Sequence, residues 1–319
     1  MTYAGPFARF LAGQGFVALD GGLATALESA GHVLDTPLWS ARLLLEAPDA
    51  IRAAHLAYLE AGADCVTTAS YQASFEGFAA AGLDEREAEA LLRRSVQLAR
   101  DACGAFWSAE SGRSARMEPI VAASAGPYGA YLADGSEYRG RYAIGRSALV
   151  DFHRRRLHVL ADTVADLVAF ETIPSSVEAE IVASLLGEVS STWAWMSFTC
   201  ADDERLRDGS PLAEAVHAAL AAPRLAGIGI NCTAPRHVAA SIDTVRSLTD
   251  LPVIAYPNSG EVYDARSRRW VGTPAGADWV AEARVWLEHG ARVIGGCCRV
   301  GPAVIRELRQ ELDQRGGAP

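Results

Sequence analysis

Runs of six to eight apolar, β-branched or small residues recur from one end of the chain to the other, each closed by polar residues or by Gly and Pro. Eight stand out: 16–21 (FVALDG), 65–71 (CVTTASY), 119–126 (PIVAASAG), 167–173 (LVAFETI), 194–200 (AWMSFTC), 225–232 (LAGIGINC), 252–259 (PVIAYPNS) and 292–298 (RVIGGCC). Their hydrophobicity is continuous rather than alternating, as expected of strands covered on both faces in a parallel sheet. Between them lie segments whose apolar residues fall mostly at three- and four-residue spacing: 48–61, 85–103, 148–164, 177–189, 213–221, 237–248 and 278–289. That spacing predicts amphipathic helices.

Eight strand–helix alternations in 319 residues suit an α/β fold of one kind, a single (β/α)8 TIM barrel. Right-handed crossovers make closure the economical topology. No linker or shift of composition divides the chain, so residues 1–319 are expected to form one domain. The alternative, an open doubly wound sheet for a dinucleotide, calls for GxGxxG after a strand, and no run is followed by one.

Half the residues are apolar, enough for a large core. A formal net charge of −10 counts against a nucleic-acid partner, which needs a basic face, and favours a small-molecule substrate. No stretch approaches the ~20 apolar residues of a membrane span, and the first residues lack the basic and apolar regions of an export signal. A cytoplasmic protein is the expectation. The chain contains no Lys, which excludes Schiff-base chemistry on a lysine amine and, with it, pyridoxal phosphate catalysis.

The carboxyl ends of barrel strands are where active sites gather. Here those ends carry Asp20, Ser70 and Tyr71, Glu171, Asn231 and Cys232, Asn258 and Ser259, and the adjacent pair Cys297 and Cys298. Six cysteines are too few for a disulfide scaffold, and two of them are neighbours in sequence, which leaves reduced thiols or metal ligands. Cys232, Cys297 and Cys298 lie on two strand ends that open onto one mouth. Three soft thiolates there suit zinc, with the fourth position of a tetrahedral ion left for a substrate thiol. Neighbouring residues of a regular strand point to opposite faces, so the Cys pair can share an ion only beyond the strand. Gly295 and Gly296 permit that irregular backbone. The plainer reading of a Cys is a small buried apolar residue, and it weakens with each further Cys at the same mouth.

These residues together resemble the homocysteine S-methyltransferase family over nearly the whole chain. The matching stretches are 19–28 (LDGGLATALE), 37–40 (PLWS), 69–74 (ASYQAS), 126–140 (GPYGAYLADGSEYRG), 170–174 (FETIP), 229–232 (GINC), 256–261 (YPNSGE) and 295–299 (GGCCR). The long 126–140 run is similar to the branch that uses S-methylmethionine or adenosylmethionine as donor, rather than betaine. The resemblance implies a barrel with zinc on Cys232, Cys297 and Cys298, the homocysteine thiol as its fourth ligand, and Asp20 and Glu171 near the amino-acid end of that substrate. A carboxylate pair at a barrel mouth is also the natural partner of an α-ammonium group.

Trp39, Tyr71 and Tyr128 are candidates to line a donor pocket, since an aromatic face attracts a sulfonium as it does a quaternary ammonium. Ser70, Asn231 and Ser259 are candidates to bond the substrate or the loops, and Cys200 is a further strand-end thiol. The seven His residues show no paired ligand spacing and read as solvated or capping groups. Arg154 to Arg156 reads as a charged helix face. The expected reaction passes a methyl group from a sulfonium to the activated thiol, giving methionine and a neutral thioether leaving group. The rival readings are a betaine-type donor and a non-catalytic zinc or thiol store. Either sulfonium fits the pattern, and nothing in it specifies an oligomer.

Overall fold

The computed structural model describes residues 3–34, 38–109, 116–264, 269–271 and 278–316. The eight apolar runs become the parallel strands β1 (Val17–Ala18), β2 (Cys65–Thr67), β3 (Ile120–Ala125), β4 (Leu167–Ile173), β5 (Ala194–Phe198), β6 (Leu225–Asn231), β7 (Val253–Tyr256) and β8 (Ala291–Ile294). Neighbours in the sheet run β1-β8-β7-β6-β5-β4-β3-β2. A parallel bridge from Leu19 to Cys65 spans the remaining gap, and the sheet curls into a (β/α)8 TIM barrel with helices outside.

Both faces of these strands are buried because two cores meet on them. In β4, Leu167 and Ala169 belong to the barrel interior with Trp195, Ile254 and Val293, whereas Val168 and Phe170 join the layer between sheet and helices. The two-residue period of a strand then turns Glu171 inward, at the mouth. The surrounding helices bury the stripes their spacing predicts. Pro48–Ala61 buries Ile51, Ala54, His55, Tyr58 and Leu59. Glu85–Ser108 starts on a capping box between Asp84 and Glu87, which satisfies amides that the first helical turn leaves without partners.

The end of the barrel away from the site is closed by Phe7, whose ring stacks on Trp195 with centroids 5.9 Å apart. Beside it, buried Asp64 accepts from Arg309 at 2.8 Å, Arg116 at 3.2 Å, Gln14 at 2.7 Å and the Ala18 amide at 3.0 Å. Asp64→Ala would leave two guanidinium groups without their buried counter-charge, which costs about 3 kcal/mol or more. A lower urea midpoint, with kcat unchanged in the protein that remains folded, is the expected result.

The strands are shorter than their apolar runs at the mouth. β1 stops before Asp20, β2 before Ser70 and β8 before Cys297, so the site residues stand on loops that begin where the ladder ends. A two-stranded antiparallel ribbon, Val262–Asp264 with Arg269–Val271, follows β7 and has no counterpart in the sequence reading. No helix among the described residues is long and apolar enough to cross a membrane.

Candidate functional site

The loop after β8 is threaded between the ends of β1 and β7. The Gly295 amide donates to Ala255 O at 3.1 Å, that of Gly296 to Asp20 O at 3.1 Å, and that of Cys297 to Pro257 O at 2.8 Å. A Cβ on Gly295 would stand 2.6 Å from Leu19 Cβ, and one on Gly296 would run into the Val300 side chain. The glycines therefore serve close approach; neither has the positive φ that a need for backbone freedom would show. This threading carries Cys297 and Cys298 to the end of β6, where Cys232 itself has a φ of 44°. A left-handed non-glycine persists only where its surroundings fix it, and here Thr199 Oγ1 donates to the Cys232 carbonyl at 3.0 Å.

The three sulfurs lie within 4.8 Å of one another. Cys298 Sγ is 3.7 Å from Cys232 Sγ and 3.9 Å from Cys297 Sγ, while Cys232 and Cys297 are joined as a disulfide. That bond is the oxidised form of the cluster, and holding a metal requires both sulfurs back as thiolates. As a donor set, three sulfurs at one mouth suit zinc or a similarly soft ion. Burial, with the nearby carboxylates Glu137 and Glu171, pushes the Cys298 thiol up to about 12. A divalent cation would reverse that shift.

Beside the cluster, Asp20 accepts from the Thr67 amide at 2.7 Å and from Thr67 Oγ1 at 3.1 Å. Burial raises its pKa well above the ordinary range despite those bonds, and the charge of Glu171 adds to the rise. Glu171 is pushed up to about 7 by burial, although Ser124 Oγ and the Tyr256 hydroxyl bond to it. Tyr256 is oriented in turn by Trp195 Nε1, which donates to its oxygen at 3.1 Å. Two buried carboxylates that repel each other across one cavity are poised for a cation.

Both line a cavity of about 310 Å³, together with Cys297, Cys298, Tyr71 and Glu137. Asn231 and Ser70 do not line it. Asn231 is fully buried and clamps the strained Thr172, φ 63°, accepting from its amide at 2.7 Å and donating to its Oγ1 at 2.8 Å; its Nδ2 lies 3.9 Å from Cys297 Sγ. Ser70 Oγ donates to Ser124 O at 2.7 Å, bracing the strand that presents Ser124. Ser259 bonds Glu261 at 2.7 Å. Tyr128 packs against Tyr131, Tyr142 and Phe152. Trp39 begins a short 3-10 helix, Trp39–Arg42, and its side chain lies outside the described residues, as does part of the 37–40 motif. Cys200 is buried away from the cluster, its amide donating to Thr233 Oγ1 at 2.9 Å.

Two sequence readings are corrected. Arg154 and Arg155 do lie on an exposed helix face, but Arg156 is buried, 4.2 Å over the Phe152 ring, and donates to Gly126 O at 2.6 Å. His55 and His153 are fully buried rather than solvated. His153 Nε2 meets Glu178 at 2.7 Å, and Glu178 also accepts from the Tyr128 amide at 2.8 Å and the Tyr142 hydroxyl at 3.1 Å. This buried network secures the 126–140 run from behind. The sequence reading missed Glu137, which the run carries into the cavity from the 3-10 turn Ser136–Tyr138. Gly129 makes room for that turn: a Cβ there would lie 2.7 Å from the Ser136 carbonyl carbon. Burial pushes Glu137 up to about 7.

A TIM barrel whose mouth sets three sulfurs able to hold a metal ion beside buried carboxylates has the form of an enzyme site, and comparison with known proteins places the chain among relatives. The family model described as "Homocysteine S-methyltransferase" matches residues 17–312. The homocysteine S-methyltransferase YbgG of Bacillus subtilis (strain 168) is 47% identical over 303 residues, covering 95% of this chain and 96% of its own. The homocysteine S-methyltransferase of Escherichia coli (strain K12) is 46% identical over 313 residues, covering 97% and 99%. The crystal structure of the metallated form of the homocysteine methyltransferase MmuM from E. coli superposes with a TM-score of 0.85 at 44% identity, covering 96% of this chain and 99% of that one. Its oxidized form gives 0.86 at 43% identity over the same shares. The chain belongs to the homocysteine S-methyltransferase family.

Proposed function

We propose that this protein methylates the thiol of homocysteine, taking the methyl group from a sulfonium donor and releasing methionine, with zinc held by Cys232, Cys297 and Cys298. The observation that carries the reading is the meeting of three sulfurs within 4.8 Å at the rim of a cavity that also holds Asp20 and Glu171. The family membership and the metallated E. coli relative support it. Zinc, when bound, supplies a Lewis acid that keeps a substrate thiol ionised at neutral pH.

The chain's own residues supply orientation. Asp20 and Glu171 receive the α-ammonium of homocysteine, and Thr67, Ser124 and Tyr256 hold the two carboxylates in place. Asn231 fixes Thr172 next to Glu171 and approaches the Cys297 sulfur, tying the ammonium end of the site to its thiol end. Methyl transfer cancels a thiolate against a sulfonium, so the leaving thioether is neutral and needs no general acid. A cavity of about 310 Å³ is in the range of ligand sites, about 300–1,000 Å³, and S-methylmethionine and adenosylmethionine are the two candidate donors.

The test is methionine formation by reduced, zinc-loaded protein from homocysteine with each sulfonium in turn at equal concentration. Turnover with a sulfonium donor is expected, and the ratio of the two rates names the preferred one. Zinc-loaded protein that makes no methionine from either would favour the storage reading, and turnover with betaine alone would assign the other donor class.

A further inference from the structure

The cavity holds more carboxyl groups than one ammonium group needs. Asp20 and Glu171 suffice for homocysteine, yet two further carboxylates line the same cavity: exposed Glu28, which faces the charge of Arg299, and Glu137, on the side of Tyr71 and Tyr138. Glu137 is 8% exposed, and its Oε2 is buried with no hydrogen-bond partner among the described residues. The charge of Arg139 reaches Glu137, but its guanidinium is bonded to Asp134 at 3.1 Å, whose own charge opposes that effect. A buried carboxylate oxygen without a partner is costly, and the Gly129 packing and the Glu178 network behind the 126–140 run hold it in that position. The neighbouring sulfur cluster adds no positive charge: three thiolates around a divalent ion leave a net negative charge. Among the described residues nothing satisfies Glu137 Oε2, which leaves the place open to a cation from solution, homocysteine's ammonium being already assigned.

We infer that Glu137 is the counter-charge that seats the cationic methyl donor, with the Tyr71 and Tyr138 side chains lining the same part of the cavity. This rests on the methyltransferase reading and deepens it by naming the donor's subsite. During transfer the donor S–CH3 bond breaks with its electron pair returning to the donor sulfur, and a lone pair of the homocysteine sulfur forms the new S–CH3 bond. The sulfonium becomes a neutral thioether, and its attraction to Glu137 ends with the reaction. Glu137 therefore binds the donor at least as strongly before transfer as during it. Such an interaction lowers KM without raising kcat.

Glu137→Gln keeps the shape and removes the charge. In the reduced, zinc-loaded enzyme it should raise KM for S-methylmethionine about ten-fold or more, the order expected when one member of a close charge pair is removed at an effective dielectric between those of water and the protein interior, with kcat not reduced. KM for homocysteine and zinc content should stay within about two-fold, inside the uncertainty of single-interaction effects. Calorimetric titration adds a readout that needs no turnover: wild type should bind S-methylmethionine more tightly than neutral methionine, and E137Q should lose that preference. Glu137→Asp, which retains the charge, should recover part of it. An unchanged donor KM in E137Q, or equal weakening of donor and homocysteine in both variants, would overturn the inference as a mere packing effect. Wild type that binds the sulfonium in preference but turns over neither donor would defeat the methyltransferase reading while leaving the Glu137 subsite standing.

Discussion

Cys297→Ser is expected to leave a folded protein that holds almost no zinc and has lost about 10³-fold or more of its methionine-forming activity. Serine is nearly isosteric, but its hydroxyl does not ionise at neutral pH and is a harder donor, so a soft ion loses one of only three protein ligands. Without the ion a substrate thiol, with a pKa near ~8.5, is only a few per cent ionised at pH 7. It also loses the direction of attack, which oriented groups supply at several kcal/mol. The fold should survive, because Cys297 lies on the loop beyond β8 and its amide bond to Pro257 O does not involve the side chain. Zinc by atomic absorption, methionine by chromatography and the thermal midpoint check the three statements separately. A metal-free C297S that still turns over would sink the zinc mechanism. The same logic makes zinc uptake by the wild type depend on reductant, since a disulfide between Cys232 and Cys297 removes two of the three ligands at once.

The barrel was legible in the sequence because burial of both strand faces writes a continuous apolar run, and β4 (Leu167–Ile173) and the helix Pro48–Ala61 match their predicted limits to the residue. Elsewhere the runs overshoot the ladder, since small and apolar residues such as Gly295 and Gly296 are needed for close packing in the loops as well. The convergence of Cys232, Cys297 and Cys298 was legible because strand ends of a closed barrel share one mouth. Which polar strand-end residues look into the cavity was not. Ser70 and Asn231 sit at the same kind of position as Glu171, and only the local twist and the strained Thr172 decide that they brace neighbouring backbone instead. The burial of Arg156 and His153 had a signal that was passed over: with Leu149, Phe152, Leu157 and Leu160 they fall at three- and four-residue spacing on one helix face. Glu137 had no periodicity to betray it, because a turn between helices carries none.

Glu171→Gln is expected to raise KM for homocysteine about 100-fold and to flatten the dependence of amino-acid binding on pH. The substitution keeps an oxygen to accept from Ser124 but removes one of the two charges proposed to face the ammonium, and charge-assisted bonds contribute about 1.5–3 kcal/mol each. In wild type, burial lifts Glu171 from its ordinary 4.5 to about 7 in the empty site. Only the ionised form attracts an ammonium, so binding releases a proton and affinity falls as pH drops through about 7. Between pH 6 and pH 8 the ionised fraction rises about ten-fold, and affinity for methionine, which has no thiol to confuse the titration, should rise by the same factor. E171Q should flatten that rise, leaving only the share that Asp20 contributes. The sign for stability is opposite: a carboxyl whose folded pKa is raised keeps its proton while the unfolded chain gives its own up. The free protein therefore loses stability from this group as pH climbs from about 4.5 to about 7, and a bound amino acid offsets the loss. A pH-independent methionine affinity in wild type, or a homocysteine KM in E171Q within a factor of about two of wild type, would remove Glu171 from the ammonium site, because a charge-assisted bond at a buried position cannot be lost so cheaply.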